Sequence, residues 1–208
     1  GFIIIALLLF IPAGTLNYLN AWLFIGILFV PTFIVGIILM IKNPDLLRKR
    51  LNSKEKEAEQ GILLLLGGLM FICGFVVAGL NYRFEWIILP KYIVYIAAII
   101  FLLAYVLYAE VLRENMYLSR IIEVQENQKV IDTGLYGIVR HPMYLSTILL
   151  FLSIPLVLGS LFSFLIFMIY PFIIAKRIKN EEKVLEQGLK GYLEYKEKVK
   201  YKMIPFIW

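Results

Sequence analysis

Long apolar runs separated by short charged segments are the feature of this chain that most restricts its fold. A run of about 20 apolar residues, coiled as a helix, matches the hydrocarbon thickness of a bilayer. Hydrophobic residues make up 61% of the 208 residues, whereas a soluble domain has about 45–50%. We therefore predict an all-α integral membrane protein, a single polytopic domain over residues 1–208. Its first half, 1–112, is predicted to hold four transmembrane helices, at Phe2–Leu16, Ala21–Ile41, Gly61–Leu80 and Tyr92–Leu112.

The first of these runs is interpreted as a membrane helix and not as a cleaved signal peptide, because another full-length run follows it at once. A later run, Met143–Ala175, has 33 nearly unbroken apolar residues. As one straight helix it would be about 50 Å long, well beyond the hydrocarbon core. Pro155, Gly159 and Ser160 interrupt it near the middle. We predict a C-terminal membrane hairpin of two short, tilted arms, which brings the total to five or six spans.

Basic residues predict the orientation in the membrane. Segments 42–60, 113–142 and 176–208 carry six, four and nine Lys or Arg, whereas 17–20 carries none and 81–91 carries two. Because cytoplasmic loops are enriched in Lys and Arg, both termini are predicted to be cytoplasmic in a multi-pass protein of the cell membrane. Lys176–Lys202 is charged and amphipathic, and is predicted to form a cytoplasmic helix. The net charge of +6 therefore reflects membrane topology, and we expect no nucleic-acid partner.

Polar residues that are suited to chemistry flank the predicted hairpin. The segment 133–144 before it contains the only histidine of the chain, together with Arg140 and two tyrosines, and Arg177, Glu181 and Glu182 follow it. Each group has an ordinary interpretation, as an interfacial anchor or as a solvated ion pair at i and i+4. However, a hairpin returns its second arm beside its first, so the two groups are predicted to meet at the cytoplasmic mouth. The only cysteine, Cys73, lies in an apolar run, so we expect no metal site.

The pattern Arg140-His141-Pro142-x-Tyr144, a hairpin and then Arg177-x-x-x-Glu181-Glu182 resembles the isoprenylcysteine carboxyl methyltransferase family. Membrane phospholipid N-methyltransferases share it. The resemblance to the microbial branch extends over about 115–208, whereas the first four spans resemble the family only in kind. Ser146 departs from the family, in which relatives often have Gly. The further matching positions are Asn115, Ser119-Arg120, Thr133-Gly134-x-Tyr136, Leu158-Gly159-Ser160, Gly191-Tyr192-x-x-Tyr195 and Pro205-x-x-Trp208.

The resemblance implies that residues 113–208 form a cofactor-binding and catalytic half. It implies transfer of a methyl group from S-adenosylmethionine to a lipid-like acceptor, first of all the carboxylate of a prenylcysteine-type substrate, at the cytoplasmic face. Arg140 and His141 are expected to hold the carboxylate of the cofactor, and Glu181 or Glu182 its ammonium or ribose hydroxyls. The expected cofactor-binding residues are Tyr136, Arg140, His141, Pro142, Tyr144, Glu181 and Glu182, and the expected catalytic residues are Asn115, Arg120, Arg177 and Glu181.

Three other functions remain open from the sequence. Methylation of a phospholipid amine would need a base for the proton of the amine, and a Glu of the pair could serve. Membrane sterol-type reductases that bind NADPH carry a similar motif, but they usually have Asn before the tyrosine and Gly-Glu soon after, where this chain has Met143 and Leu145-Ser146-Thr147. A membrane scaffold or transport component would explain the spans, but not the polar residues on both sides of one hairpin.

Overall fold

A computed structural model describes residues 1–51, 58–119, 122 and 124–208 of the protein, and most of these residues are helical. Five helices lie in the first half: α1 (Phe2–Ala13), α2 (Leu19–Lys42), α3 (Pro44–Leu51), α4 (Ala58–Phe84) and α5 (Lys91–Glu114). A 3₁₀ turn (Gly134–Gly137) precedes the remaining four, α6 (Pro142–Val157), α7 (Leu161–Phe167), α8 (Tyr170–Gly188) and α9 (Tyr192–Lys198).

Four segments of the described chain are long and apolar enough to cross a membrane: Leu19–Lys42, Gly61–Phe84, Lys91–Glu114 and Leu161–Gly188. Many of their large apolar side chains face outward, as they do in helices that contact lipid. The predicted all-α, multi-pass membrane architecture is thus confirmed. Helix α1 is shorter than the predicted span Phe2–Leu16, because Gly14 adopts a left-handed conformation with φ of 69° and ends the helix at Ala13.

The break predicted inside the apolar run 143–175 lies between α6 and α7. Gly159 has φ of 77°, which favours glycine, and Ser160 Oγ accepts a hydrogen bond from Ser163 N at 3.2 Å, which caps α7. The second arm is longer than predicted, because α8 continues the apolar helix through the charged residues to Gly188. The helix predicted over 176–202 is therefore divided. Gly191, with φ of 85°, separates α8 from α9.

The connections 17–20, 81–90 and 158–160 lie together at one end of the helical bundle. Tyr18 donates a hydrogen bond to Leu158 O at 2.5 Å and stacks on Tyr82 at 4.2 Å between ring centroids. Tyr82 in turn donates to Asn17 O at 2.7 Å. Because the helices run antiparallel between these turns, the segment that joins α5 to α6 and the C-terminal part of α8 lie at the opposite end.

Candidate active site

A buried charge cluster joins the start of α6 to α8. Glu182 Oε1 accepts hydrogen bonds from Arg140 Nε and Nη2, both at 2.8 Å, and the side chains are only 3% and 6% exposed for Arg140 and Glu182. His141 Nε2 lies 3.2 Å from the same oxygen, and Lys202 Nζ lies 3.5 Å from Glu182 Oε2. Buried charges are tolerated only when they are paired in this way. Glu182 therefore fixes the position of Arg140 and His141.

The segment after α9 completes the surroundings of Arg140. Its Nη1 donates to the carbonyl oxygens of Val199 at 2.6 Å and of Lys200 at 2.8 Å. The backbone N–H groups of Arg140 and His141 donate to Tyr201 O at 3.0 Å and to Lys202 O at 2.7 Å. A guanidinium has five N–H donors, and these contacts engage most of those on Arg140. The main structural effect of Arg140 is to join the C-terminal segment to the start of α6.

A second polar cluster lies beside the first. The hydroxyl of Tyr144 donates to Glu181 Oε2 at 2.5 Å and accepts from Arg177 Nε at 3.1 Å. Tyr144 is in the first turn of α6, whereas Arg177 and Glu181 are one turn apart on α8, so the two arms of the hairpin provide the three groups. The structure thus brings together the residues on either side of the apolar hairpin.

The 3₁₀ turn places Tyr136 next to these clusters. The carboxylate of Glu114, at the end of α5, accepts from Leu135 N at 3.0 Å, and Tyr195 donates to Tyr136 O at 2.7 Å. The side chain of Asn115 hydrogen-bonds to the Tyr136 phenol. Burial raises the pKa of Tyr136 and of Tyr195 above the usual value of a phenol. Both hydroxyls therefore stay protonated at neutral pH.

A polar cavity lies where these elements meet. Its charged and polar side chains come from four elements and the segment after α5, and apolar residues such as Ile122, Val130 and Leu185 line it too. Seven of the predicted site residues line it: Asn115, Tyr136, Arg140, His141, Tyr144, Arg177 and Glu181.

Two of the predicted site residues that the structure describes, Pro142 and Glu182, do not line this cavity. Pro142 is the first residue of α6 and is fully buried, so its effect is to start that helix. Glu182 is buried against Arg140 and His141. Arg120 lies outside the described residues. Among the described residues, no three His, Cys, Asp or Glu side chains are grouped so that they could hold a metal ion.

Tyr192, which is not among the site residues expected from the sequence, also lines the cavity. It is 4% exposed, and its hydroxyl has no hydrogen-bond partner among the described residues. A buried polar atom without a partner costs free energy, which makes it a candidate ligand contact. The spacing Gly191-Tyr192-x-x-Tyr195 was a usable signal, since residues at i and i+3 share a helix face. The sequence could not tell which hydroxyl would be satisfied.

The model of the isoprenylcysteine carboxyl methyltransferase (ICMT) family matches residues 93–187. The matched segment runs from the first turn of α5 almost to the end of α8. It contains Arg140, His141 and Glu182 of the first cluster and all of the second, but not Lys202, α9 or the closing segment. The resemblance inferred from the sequence is thereby confirmed over this segment, and the family is one of methyltransferases. No curated protein matches the chain.

Proposed function

We propose, from the match of residues 93–187 to the isoprenylcysteine carboxyl methyltransferase family, that this membrane protein methylates the carboxylate of a prenylcysteine-type lipid. The methyl donor is S-adenosylmethionine. The observation that carries the proposal is the cavity beside the membrane helices, where Arg177, Glu181, Tyr144 and His141 converge with apolar side chains. A charged cofactor and an acceptor with a lipid tail need this combination of surfaces.

The groups around the cavity fit the cofactor. When bound, S-adenosylmethionine supplies an electrophilic methyl group on a sulfonium. Its amino-acid end carries a carboxylate, for which His141 and the remaining donor of Arg140 are suited, and an ammonium, for which Glu181 is suited. Tyr136 and Tyr144 offer aromatic faces to the adenine. The unpartnered hydroxyl of Tyr192 is a further group that a polar ligand would satisfy.

The acceptor is best matched by a carboxylate. Arg177 lines the same cavity as the apolar Met143, Leu185 and Leu189, so the cavity combines a cation with apolar surface. The guanidinium of Arg177 orients the acceptor carboxylate, and the apolar side chains hold the lipid part and exclude water. A carboxylate is already deprotonated at neutral pH and needs no general base. Asn115 remains a proposed catalytic residue, and it acts by holding the phenol of Tyr136 through a hydrogen bond. Arg120 is proposed as a catalytic residue from the sequence alone.

The first experiment measures binding of S-adenosylhomocysteine, the product form of the methyl donor, to the detergent-purified protein by calorimetry. We expect micromolar binding by the wild type, and a loss of about tenfold or more in Glu181→Gln, since a hydrogen bond to a charged group contributes about 1.5–3 kcal/mol. Glu110→Gln is the matched control, because Glu110 pairs with the exposed Arg113 and does not line the cavity. Binding of NADPH instead of S-adenosylhomocysteine would replace this proposal with a reductase.

The second experiment identifies the acceptor. With radiolabelled S-adenosylmethionine, we expect base-labile methyl incorporation into N-acetyl-S-farnesylcysteine. The matched control is the amide of the same compound, which lacks the carboxylate and should take up no label. Incorporation into phosphatidylethanolamine but not into the farnesylcysteine would identify a phospholipid amine N-methyltransferase.

We also propose that the cavity faces the cytoplasm, because the basic segments 113–142 and 176–208 lie at its end of the bundle. Single cysteines at Asn17 and at Lys190, each in a Cys73→Ala background, test this orientation, since both side chains are exposed. In intact cells a membrane-impermeant maleimide should label the cysteine at position 17 but not that at position 190. The reverse labelling pattern would contradict the proposed orientation.

A further inference from the structure

The hydroxyl of Tyr192 differs from every other buried side-chain hydroxyl of the described residues, because it alone lacks a hydrogen-bond partner. The neighbouring Tyr195, on the same face of α9, donates to Tyr136 O at 2.7 Å. The two rings are 5.8 Å apart and similarly buried. The same short helix therefore holds one tyrosine whose hydroxyl serves the fold and one that lines the cavity and whose buried hydroxyl has no partner among the described residues.

Leaving a buried hydroxyl unpaired lowers the stability of the free protein. A phenylalanine at position 192 would fill the same space without that cost. Tyr192 also lies close enough to Glu182, Glu181 and Arg140 to interact with them electrostatically, and Glu181 and Arg140 line the same cavity. Burial, and then the two carboxylates, raise the pKa of its phenol, so the hydroxyl is a hydrogen-bond donor at neutral pH.

We propose that Tyr192 is a ligand contact whose hydroxyl donates a hydrogen bond to the carboxylate at the amino-acid end of the methyl donor. This inference rests on the proposed function. A protonated phenol needs an acceptor, and the carboxylate is the strongest acceptor that the cofactor offers. Arg140 and His141 line the same cavity, and the guanidinium of Arg140 provides the positive charge that a buried carboxylate requires. Tyr192 thus distinguishes the complete cofactor from nucleosides that lack this group.

The test compares Tyr192→Phe with Tyr195→Phe. Melting temperatures of the ligand-free proteins come first. Tyr195→Phe should melt about 2–4 °C below the wild type, since it loses a buried hydrogen bond. Tyr192→Phe should melt at the wild-type temperature or above it. A fall in Tyr192→Phe as large as that in Tyr195→Phe would overturn the proposal, because the hydroxyl would then serve the fold.

Binding is measured next, by displacement of radiolabelled S-adenosylhomocysteine, which also ranks weak ligands. We expect Tyr192→Phe to weaken binding of S-adenosylhomocysteine about tenfold, and to leave unchanged the binding of its decarboxylated analogue, which lacks only the carboxylate. An equal loss for both ligands would place the contact elsewhere on the ligand, and no loss for either would leave a water as the partner; both results overturn the proposal. If the wild type itself binds no S-adenosylhomocysteine, it is the proposed function that fails.

Discussion

Removal of the Glu182 carboxylate should strongly destabilise the protein. Glu182 Oε1 accepts two hydrogen bonds of 2.8 Å from the guanidinium of Arg140, and both side chains are almost completely buried. Without that carboxylate, Arg140 keeps its charge in a poorly solvated site and retains only the carbonyl oxygens of Val199 and Lys200. Breaking a buried pair by removal of one partner costs about 3–5 kcal/mol.

The cost can be measured as a melting temperature in detergent. For a chain of this size 1 kcal/mol shifts Tm by about 2–4 °C, so Glu182→Ala should lower Tm by about 6–20 °C. Glu110→Ala is the control, since it removes a carboxylate from an exposed ion pair and should leave Tm essentially unchanged.

A compensating variant separates charge from packing. The double variant Arg140→Met with Glu182→Leu removes both charges of the pair from the protein interior. Its loss of Tm should therefore be smaller than the sum of the losses in Arg140→Met alone and in Glu182→Leu alone. Recovery should be incomplete, because the carbonyl oxygens of Val199 and Lys200 lose their donor. The reasoning is refuted if Glu182→Ala melts within about 2 °C of the wild type, since the loss of one weak surface contact would shift Tm by about that much. Additive losses in the double variant would refute it too.

Other predictions concern glycine packing and tyrosine ionisation. Gly134 has φ of 53°, and a Cβ there would overlap the carboxylate of Glu114. Gly134→Ala should therefore lower both Tm and the affinity for S-adenosylhomocysteine. Its control is Gly26→Ala, in open space on α2, which should change neither. A Cβ at Gly79 would lie 2.6 Å from a backbone oxygen of α1, so Gly79→Ala should lower Tm, and Gly67→Ala, with no neighbour within 4 Å, is its control. Absorbance at 295 nm should show fewer ionised tyrosines in the folded than in the denatured protein at about pH 11, where an ordinary phenol is largely ionised, and a count equal in both states would contradict the raised pKa values. Because unfolding frees these phenols to ionise, stability should fall as pH rises above about 10. The tyrosines concerned are Tyr136, Tyr192 and Tyr195.

The sequence alone was enough to establish the class of fold. A run of about 20 apolar residues can cross a bilayer as a helix, because a helix satisfies its backbone hydrogen bonds within the run. The break at Gly159 followed from the length of the run 143–175 and from the conformational freedom of glycine. The outer ends of the elements were harder to predict. Residues 176–188 were predicted to be helical, but as a separate cytoplasmic helix, because charged residues were taken to end the membrane arm. In the structure α8 continues through them to Gly188, since a helix can continue past the apolar region into water.

The site residues were recognisable from the sequence, but their partners were not. The sequence shows directly which charged and aromatic side chains border the apolar hairpin, and this was enough to name Arg140, His141, Glu181 and Glu182. Only the tertiary structure decided that Glu182 is buried against Arg140 while Glu181 faces the cavity, since adjacent residues on α8 point about 100° apart and meet different neighbours. The same holds for Tyr192: whether a hydroxyl finds a partner depends on contacts between segments far apart in sequence, and no pattern along the chain encodes those distances.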